Sequence, residues 1–173
     1  MDMIVQREHP VLREKAGLVK KVEIGTPRFN TIISDMKKAL HSQDDGVAIA
    51  APQIAVPLRI FIVSGKVFDM RKKNPPTIPT PDLICINPHL TKLSKEKKWV
   101  PEGCLSVRYL YGRVERSTRA TLDATNEQGQ PFTLGASGLL AQIFQHEVDH
   151  LDGILFTDKA KDVEDIPPNY DEE

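Results

Sequence analysis

The segment QHEVDHLDGILF, residues 145–156, carries the pattern that decides how this chain is interpreted. His146 and His150 enclose Glu147 in the order H-E-x-x-H. On a helix this spacing puts two imidazoles on one face, where both can bind one metal ion. Glu147 follows His146 by about 100° around the helix axis, close enough to reach a water beside such an ion. The segment therefore predicts a helical metal site with an adjacent carboxylate.

A catalytic ion of this kind needs a third protein ligand, and the segment does not supply one. One extended form of the motif continues to a third histidine, but Phe156 occupies that position. Gly153 is well placed to end the helix. Four other candidates lie in a charged C-terminal segment or in places without ligand-like neighbours: Glu164, His9, His41 and His89.

The two cysteines are the remaining candidates for the third ligand. Two cysteines are too few for a disulfide framework in 173 residues, so both are expected to be reduced thiols. Cys85 lies in LICIN, where a thiol is most often a small buried hydrophobe. Cys104 lies in VPEGCLSV, where Gly103 lets the backbone bend and another group approach closely. The spacing favours Cys104, with Cys85 as the alternative.

The composition is that of a single globular domain. Hydrophobic residues make up 40% and charged residues 27%. The formal net charge of -1 provides no long-range electrostatic attraction to nucleic acid or to a membrane surface. No segment approaches the ~18 apolar residues of a membrane span, and the N-terminus has no run long enough for a signal peptide. We therefore expect a cytoplasmic protein.

Local patterns predict two helices and several short strands. Thr26 and Pro27 predict the start of an amphipathic helix that ends before the DDG turn at residues 44–46. A second helix is expected from near Ser137 to Gly153. Residues 66–81 hold four prolines and predict a long loop, and residues 126–130 predict a hairpin turn. Strands are predicted at residues 47–51, 58–63, 82–87 and 119–125.

These elements predict an α+β fold in one domain. Short, mostly antiparallel strands are expected to pack around a central helix that carries H-E-x-x-H, with an amphipathic helix nearer the N-terminus. We place the catalytic domain at residues 1–157. Residues 158–173 are acidic and interrupted by Pro167 and Pro168, which predicts a mostly disordered tail.

Three motifs in this order resemble the signature set of peptide deformylases. EGCLS at residues 102–106 and QHEVDH at residues 145–150 resemble the second and third signatures. GVAIAAPQ at residues 46–53 occupies the place of the first, G-x-G-L-A-A-x-Q, and HPVLREKA at residues 9–16 resembles the opening of the family. The similarity covers most of the chain up to about Phe156.

The resemblance implies a hydrolase that removes the formyl group from the N-terminal formyl-methionine of newly synthesised polypeptides and releases formate. It implies that Cys104, His146 and His150 hold one divalent ion. Fe²⁺ is the usual ion of the family, and Zn²⁺, Ni²⁺ or Co²⁺ can replace it. The residue types alone do not select among these ions.

The resemblance also assigns the catalytic groups. Glu147 is implied as the general acid and base. The side-chain amide of Gln53 and the backbone N–H of Leu105 are implied as donors to the substrate carbonyl oxygen.

Substrate contacts follow from the same resemblance. Ala48 and Ile49 replace the usual Gly-Leu of the first motif, and the Cβ of Ala48 is expected to narrow the cleft or shift the strand. Candidates to line a methionine pocket, or alternatively to pack in the core, are Val47, Val100, Leu139 and Ile143. The substrate backbone is expected to bind in β-like fashion beside residues 46–51, including Gly46 and Ala48, and beside Gly103.

The implied partners are N-formylmethionyl nascent polypeptides, with a transient ribosome contact and no membrane or specific nucleic-acid site. The proline-interrupted tail does not favour a ribosome-docking helix. Two other functions remain open from the sequence. A zincin-like metallopeptidase would need a third ligand downstream of His150, where Phe156 stands. A non-catalytic metal-binding or peptide-binding relative would be expected to lack Glu147, Gln53 or a ligand, and the chain retains them all.

Overall fold

The computed structural model describes residues 3–70, 72–74 and 76–168. In these residues the strands are β1 Ala48–Ala50, β2 Ile60–Val63, β3 Leu83–Leu93, β4 Lys97–Gly103, β5 Leu110–Ser117, β6 Arg119–Thr125, β7 Pro131–Ser137 and β8 Lys161–Asp165. The helices are α1 Pro27–His41, α2 Lys66–Asp69 and α3 Gly138–Leu151. The α+β class predicted from the sequence is confirmed.

Two antiparallel sheets enclose the core. The larger sheet has the order β1-β2-β3-β6-β7, and the smaller has the order β4-β5-β8. Helix α3 packs against the larger sheet and also contacts β5 of the smaller one. The helix is therefore central, and its residues can meet groups that both sheets present. No helix in the described residues has the length and apolar character needed to cross a bilayer.

Helix α1 begins and packs as its sequence indicates. The Thr26 hydroxyl accepts a hydrogen bond from the Phe29 backbone N–H, and Pro27 occupies the first turn. Apolar residues spaced along one side, including Phe29, Ile33, Met36 and Leu40, are buried against the larger sheet. The helix covers the face of the sheet beneath β1, the strand that leads into the site.

Helix α3 ends because Gly153 follows it. Gly153 has φ +75°, a conformation that residues with a Cβ rarely adopt. A Cβ at this position would also lie 2.6 Å from the Arg13 carbonyl oxygen. The glycine thus stops the helix and lets the N-terminal segment pass close to it. Buried residues that anchor α3 include Leu140, Ile143, Phe144 and Leu151.

Three strand and loop features differ from the sequence prediction. Strand β3 continues through Pro88 to Leu93, because a register shift between Ile86 and His89 accommodates the proline. Strands β4 and β5 were not predicted, because charged and proline residues obscure their alternation. Part of the predicted loop at residues 66–81 forms α2, and the rest of its described residues form no helix or strand.

The predicted disorder of residues 158–173 is wrong for its first part. Residues Lys161–Asp165 form β8, which pairs with β5 through Leu110↔Asp165, Tyr111↔Glu164 and Arg113↔Lys161. Polar composition suggested disorder, but an edge strand needs only backbone hydrogen bonds on one side and tolerates charged side chains. Residues 169–173 lie outside the described residues.

Candidate metal centre

Three potential ligands converge from two parts of the chain. Cys104 directly follows β4, while His146 and His150 lie one turn apart on α3. Their ligand atoms all lie within 4.8 Å of one another, and Cys104 Sγ is 3.2 Å from His150 Nε2. Among the described residues this is the only cluster of three or more histidine, cysteine, aspartate or glutamate side chains with such spacing.

The structure brings Cys104, and not Cys85, beside the histidine pair. Cys85 is fully buried in β3, where burial raises the pKa of its thiol and keeps it protonated. Glu164 is exposed in β8. The third ligand that the helix lacks is therefore available 42 residues before His146, at the end of a strand of the other sheet.

The other histidines are engaged elsewhere or exposed. His9 precedes a 3₁₀ helix, and its Nδ1 accepts a hydrogen bond from the Val11 N–H. The Nε2 of His41 is 2.8 Å from a carboxylate oxygen of Asp82. His89 is exposed on β3. None of the three approaches the H-E-x-x-H face.

The residues present fit a divalent cation. Two buried side-chain atoms in the described residues have no hydrogen-bond partner, Glu147 Oε2 and His150 Nδ1. His150 turns its other ring nitrogen, Nε2, toward Cys104, so the indicative atom is Glu147 Oε2. An unpaired buried carboxylate oxygen is costly, and its position next to the cluster indicates a group that is bound there. One thiolate and two imidazoles form a donor set that Zn²⁺ and Fe²⁺ both accept. The cluster and the chemistry of its donors therefore support a divalent metal.

The surroundings of Glu147 bring the pKa of its carboxyl group close to neutrality. It is buried beside the histidine pair, and burial raises the pKa of its carboxyl to about 7. A carboxyl with a pKa close to neutrality can accept and return a proton at physiological pH. This property suits a general base better than a purely structural carboxylate.

A buried ionic network orients His146. Its Nδ1 is 2.9 Å from Glu102 Oε2, which leaves Nε2 free to face the metal position. Arg116 donates to both oxygens of Glu102, at 2.7 and 3.0 Å, and to Asp149 at 2.6 Å. Burial raises the pKa of Glu102, but hydrogen bonds from His146 and Arg116 outweigh it and lower the pKa to about 2.

This network was not predicted from the sequence. Glu102 lies two residues before Cys104 in a motif that was already of interest, and a carboxylate so close to a ligand is a usable signal. Arg116 and Asp149 carry no such signal, because only the pairing of β4 with β5 and the turn of α3 bring them together.

Gln53 and Leu105 flank Cys104. Gln53 lies in a 3₁₀ helix after β1 and is buried. Its Oε1 accepts a hydrogen bond from the Ala50 N–H at 2.8 Å, so its amide nitrogen, Nε2, points away from Ala50. The amide donates to Ser106 Oγ at 3.1 Å and approaches Cys104 Sγ at 3.6 Å. A hydrogen-bond donor is thus fixed beside the potential ligand.

A cavity of about 290 Å³ opens beside the cluster. Its volume is close to the lower end of the range for small-ligand sites, and its lining is mixed polar and apolar as in such sites. One wall comes from residues 45–48 with Gln53, and the facing wall from residues 101–105 and 107–111. Helix α3 supplies the remaining lining. The predicted site residues that line the cavity are Gly46, Val47, Ala48, Gln53, Gly103, Cys104, Leu105, Leu139, Ile143, His146 and Glu147.

For Val100 the sequence left two alternatives, a methionine pocket or core packing. Val100 is not among the residues that line this cavity. Strand β4 pairs Val100 with Val114, which is buried in a cluster that includes Leu12. The core alternative therefore fits its surroundings, and the cavity lining from β4 begins at Pro101.

Phe156 has a packing role. It is buried with Val11, Leu12 and Val114, and its ring lies 6.4 Å from that of His146 at an interplanar angle of 26°. Phe156, which stands where the extended motif has its third histidine, therefore packs against the ring of His146.

Comparisons with known proteins agree with the motifs. The family model for polypeptide deformylase matches residues 1–165. A peptide deformylase of Desulforudis audaxviator (strain MP104C) is 38% identical over 157 residues, which cover 91% of this chain and 92% of that protein.

Solved structures of the same family superpose on most of the chain. The class I type b peptide deformylase of Acinetobacter baumannii, bound to Met-Ala-Ser, matches with a TM-score of 0.78 and 31% identity, covering 90% of this chain and 97% of that one. The peptide deformylase of Synechococcus elongatus in complex with actinonin matches with a TM-score of 0.79 and 30% identity, covering 92% and 80%.

Proposed function

The chain belongs to the peptide deformylase family, and from this membership we propose that it is a hydrolase that removes the formyl group from N-terminal formyl-methionine. Its substrates are newly synthesised polypeptides, and its products are formate and a free amino terminus. The observation that carries the proposal is the Cys104, His146 and His150 cluster beside a cavity, with Glu147 buried next to it.

Cys104, His146 and His150 would hold the ion, for which we propose Fe²⁺ with Zn²⁺, Ni²⁺ or Co²⁺ as substitutes. When bound, a divalent ion would activate water as a nucleophile at neutral pH and polarise the formyl carbonyl. Glu102 fixes the ring of His146, and Phe156 packs against it, so that the protein supplies a rigid ligand set.

Glu147 handles the proton of the reaction. It accepts a proton from the attacking water as the water oxygen bonds to the formyl carbon, and Oε2, which lacks a partner, is the available atom. When the carbon–nitrogen bond breaks, Glu147 returns the proton to the departing amine nitrogen. The two transfers balance, and the carboxylate is regenerated.

Gln53 and Leu105 stabilise charge on the formyl oxygen. Donors help most when they are fixed before the charge develops, and Gln53 is held by Ala50 and Ser106. Leu105 is the residue after Cys104, so its backbone N–H is next to the proposed metal ligand. Together they supply donors from the two facing walls of the cavity.

The methionine side chain would occupy the apolar part of the cavity. Val47, Leu139 and Ile143 line it, and they come from the β1 wall and from α3. Gly46, Ala48 and Gly103 would face the substrate backbone. Ala48 is buried and lines the cavity, so we propose that its methyl group narrows the cleft at this point.

Formate release tests the proposal. Protein purified without oxygen and loaded with Fe²⁺ is incubated with formyl-Met-Ala-Ser, and formate and the free amine are measured together. Acetyl-Met-Ala-Ser serves as the matched control and should not be cleaved at the same rate. Absence of formate with iron, nickel and cobalt would refute the proposal, while cleavage within the peptide would favour a metallopeptidase.

The finer statements about partners remain proposals. Formylated nascent chains emerge where polypeptides are made, so we propose a cytoplasmic location with a transient ribosome contact. No ribosome-docking helix follows α3 in the described residues, because β8 occupies that part of the chain. The assignment of residues 1–157 as the catalytic domain is likewise a proposal.

A further inference from the structure

An ion pair joins the two walls of the cavity. Arg108 donates to both carboxylate oxygens of Asp45, at 2.8 and 3.2 Å, and to Gln43 Oε1 at 2.8 Å. Arg108 follows the Cys104 loop, whereas Asp45 immediately precedes the segment that begins at Gly46. We call these three side chains, Arg108, Asp45 and Gln43, the clasp.

Both ends of the clasp are attached to elements that line the cavity. Asp45 and Arg108 are themselves lining residues, one from each of two separate chain segments that line the cavity. The Gly46 N–H donates to the Gln43 carbonyl at 3.1 Å, so Gln43 and Asp45 belong to one closed turn. A Cβ at Gly46 would lie 2.9 Å from the Leu40 carbonyl, which shows how tightly this turn packs on α1.

The loop that carries Arg108 is held from a second side. Gln6 donates to the Leu105 carbonyl at 3.1 Å and accepts from the Arg108 backbone N–H at 3.3 Å. Leu105 is buried in the core cluster beside α1. The Leu105 position is therefore fixed without the clasp, and what the clasp adds is a direct connection between the two chain segments that line the cavity.

The clasp is charged on both sides at neutral pH. A side-chain hydrogen bond from Arg108 lowers the pKa of the Asp45 carboxyl. Bidentate pairing of a guanidinium with a carboxylate fixes a relative orientation better than a single contact does. Arg108 is mostly covered, since its side chain is 22% exposed, while that of Asp45 is 59% exposed.

We propose that Arg108 is a positioning residue, which holds the two walls of the cleft at the separation that an extended formyl-peptide backbone requires. This inference rests on the proposed function. Because the clasp spans the peptide-binding walls but does not touch the metal cluster, its loss should weaken substrate binding and leave the chemical step nearly unchanged.

The variants Arg108→Gln, Asp45→Asn and the double variant test the proposal. We expect the KM for formyl-Met-Ala-Ser to rise about threefold to tenfold in each single variant, with kcat within about twofold of the original. The double variant should be no worse than the single variants, because both remove the same interaction. Binding of the peptide Met-Ala-Ser to the metal-loaded protein, measured by calorimetry, should weaken by a similar factor.

Arg13→Gln is a matched control. Arg13 makes an equally bidentate pair with Asp158, at 2.6 and 3.2 Å, and does not line the cavity. It should leave KM and Met-Ala-Ser affinity unchanged while altering thermal stability about as much as Arg108→Gln. Exchange of the charges by Asp45→Arg with Arg108→Asp should recover part of the lost affinity.

Specific outcomes would overturn the inference. Unchanged KM and peptide affinity in Asp45→Asn, a mild change at an exposed site, would refute it even if Arg108→Gln folded poorly. A fall in kcat without a change in KM would also contradict it, as would equal effects from Arg13→Gln. If the original protein released no formate, the proposed function would fail, and Met-Ala-Ser binding would still test the clasp.

Discussion

Glu147 is the residue on which the proposed chemistry most directly depends. Glu147→Ala should lower formate release by about 10²-fold to 10⁴-fold, because it removes the carboxyl group that the proposed mechanism uses to move the proton. The bound metal, measured by elemental analysis, should remain at the original stoichiometry, since the ligands are intact. Glu127→Gln, in the exposed turn between β6 and β7, is the control and should retain activity. Equal activity in Glu147→Ala would refute the role.

The two cysteines provide a direct test of the ligand set. Cys104→Ala should lose the metal and the activity, because it removes the only ligand that does not come from α3. Cys85→Ala should keep the metal, although truncation of a buried thiol in β3 is expected to cost some stability. Metal content per chain after gel filtration measures both. Loss of metal in Cys85→Ala alone would reverse the assignment.

At this scale the sequence was most informative where function requires fixed spacing. The two histidines and Glu147 are four or fewer residues apart on one helix, so their geometry follows from the helical repeat. Glu102 and Arg116 could not be connected to His146 in this way, because cross-strand pairing brings them together. Arg108 and Asp45 are 63 residues apart and have no common local pattern.

Helix α1 illustrates what an element contributes. Thr26→Ala should lower the free energy of unfolding by about 1 kcal/mol, because it removes the side-chain acceptor for the Phe29 N–H. Thr31→Ala in the same helix is the control. Its hydroxyl only donates to the Pro27 carbonyl, and alanine is the better helix former, so stability should stay equal or rise slightly. Urea unfolding measures both, and an equal loss in the two variants would contradict the capping role.

Elements with strong periodic patterns were predicted correctly, and those with weak patterns were not. The apolar stripe and the N-cap of α1 predicted the first residue of the helix correctly. The β6–β7 hairpin formed as expected around residues 126–130. Strand β8 was not predicted because its residues are exposed and mostly polar. These residues are extended because their backbone pairs with the edge of β5.

For the whole molecule, the metal position connects two sheets through α3. Removal of the ion by a chelator should lower the melting temperature, because binding to the native state alone stabilises it. At a free-ion concentration of 100 Kd this amounts to about 2.7 kcal/mol, or a shift on the order of 5–10 °C in a chain of this size. Differential scanning calorimetry before and after chelation measures the shift.

Cys104→Ala is the control for that measurement. It should melt at the same temperature with and without chelator, because its affinity for the ion is lost. Readdition of Fe²⁺ or Ni²⁺ should restore the shift in the original protein only. If the melting temperature of the original protein did not change on chelation, this result would contradict a metal bound between the end of β4 and α3.

The sequence by itself determined the α+β class, the central metal-binding helix and the family, because motif spacing and hydrophobic period are local properties that tertiary contacts do not need to supply. Tertiary structure alone decided which residues meet. It brought Cys104, which the sequence had favoured over Cys85, to the histidine pair, packed Phe156 against His146 and closed the clasp. The physical reason is that these contacts depend on strand register and on the packing of α3 between two sheets, and neither is encoded within a single segment.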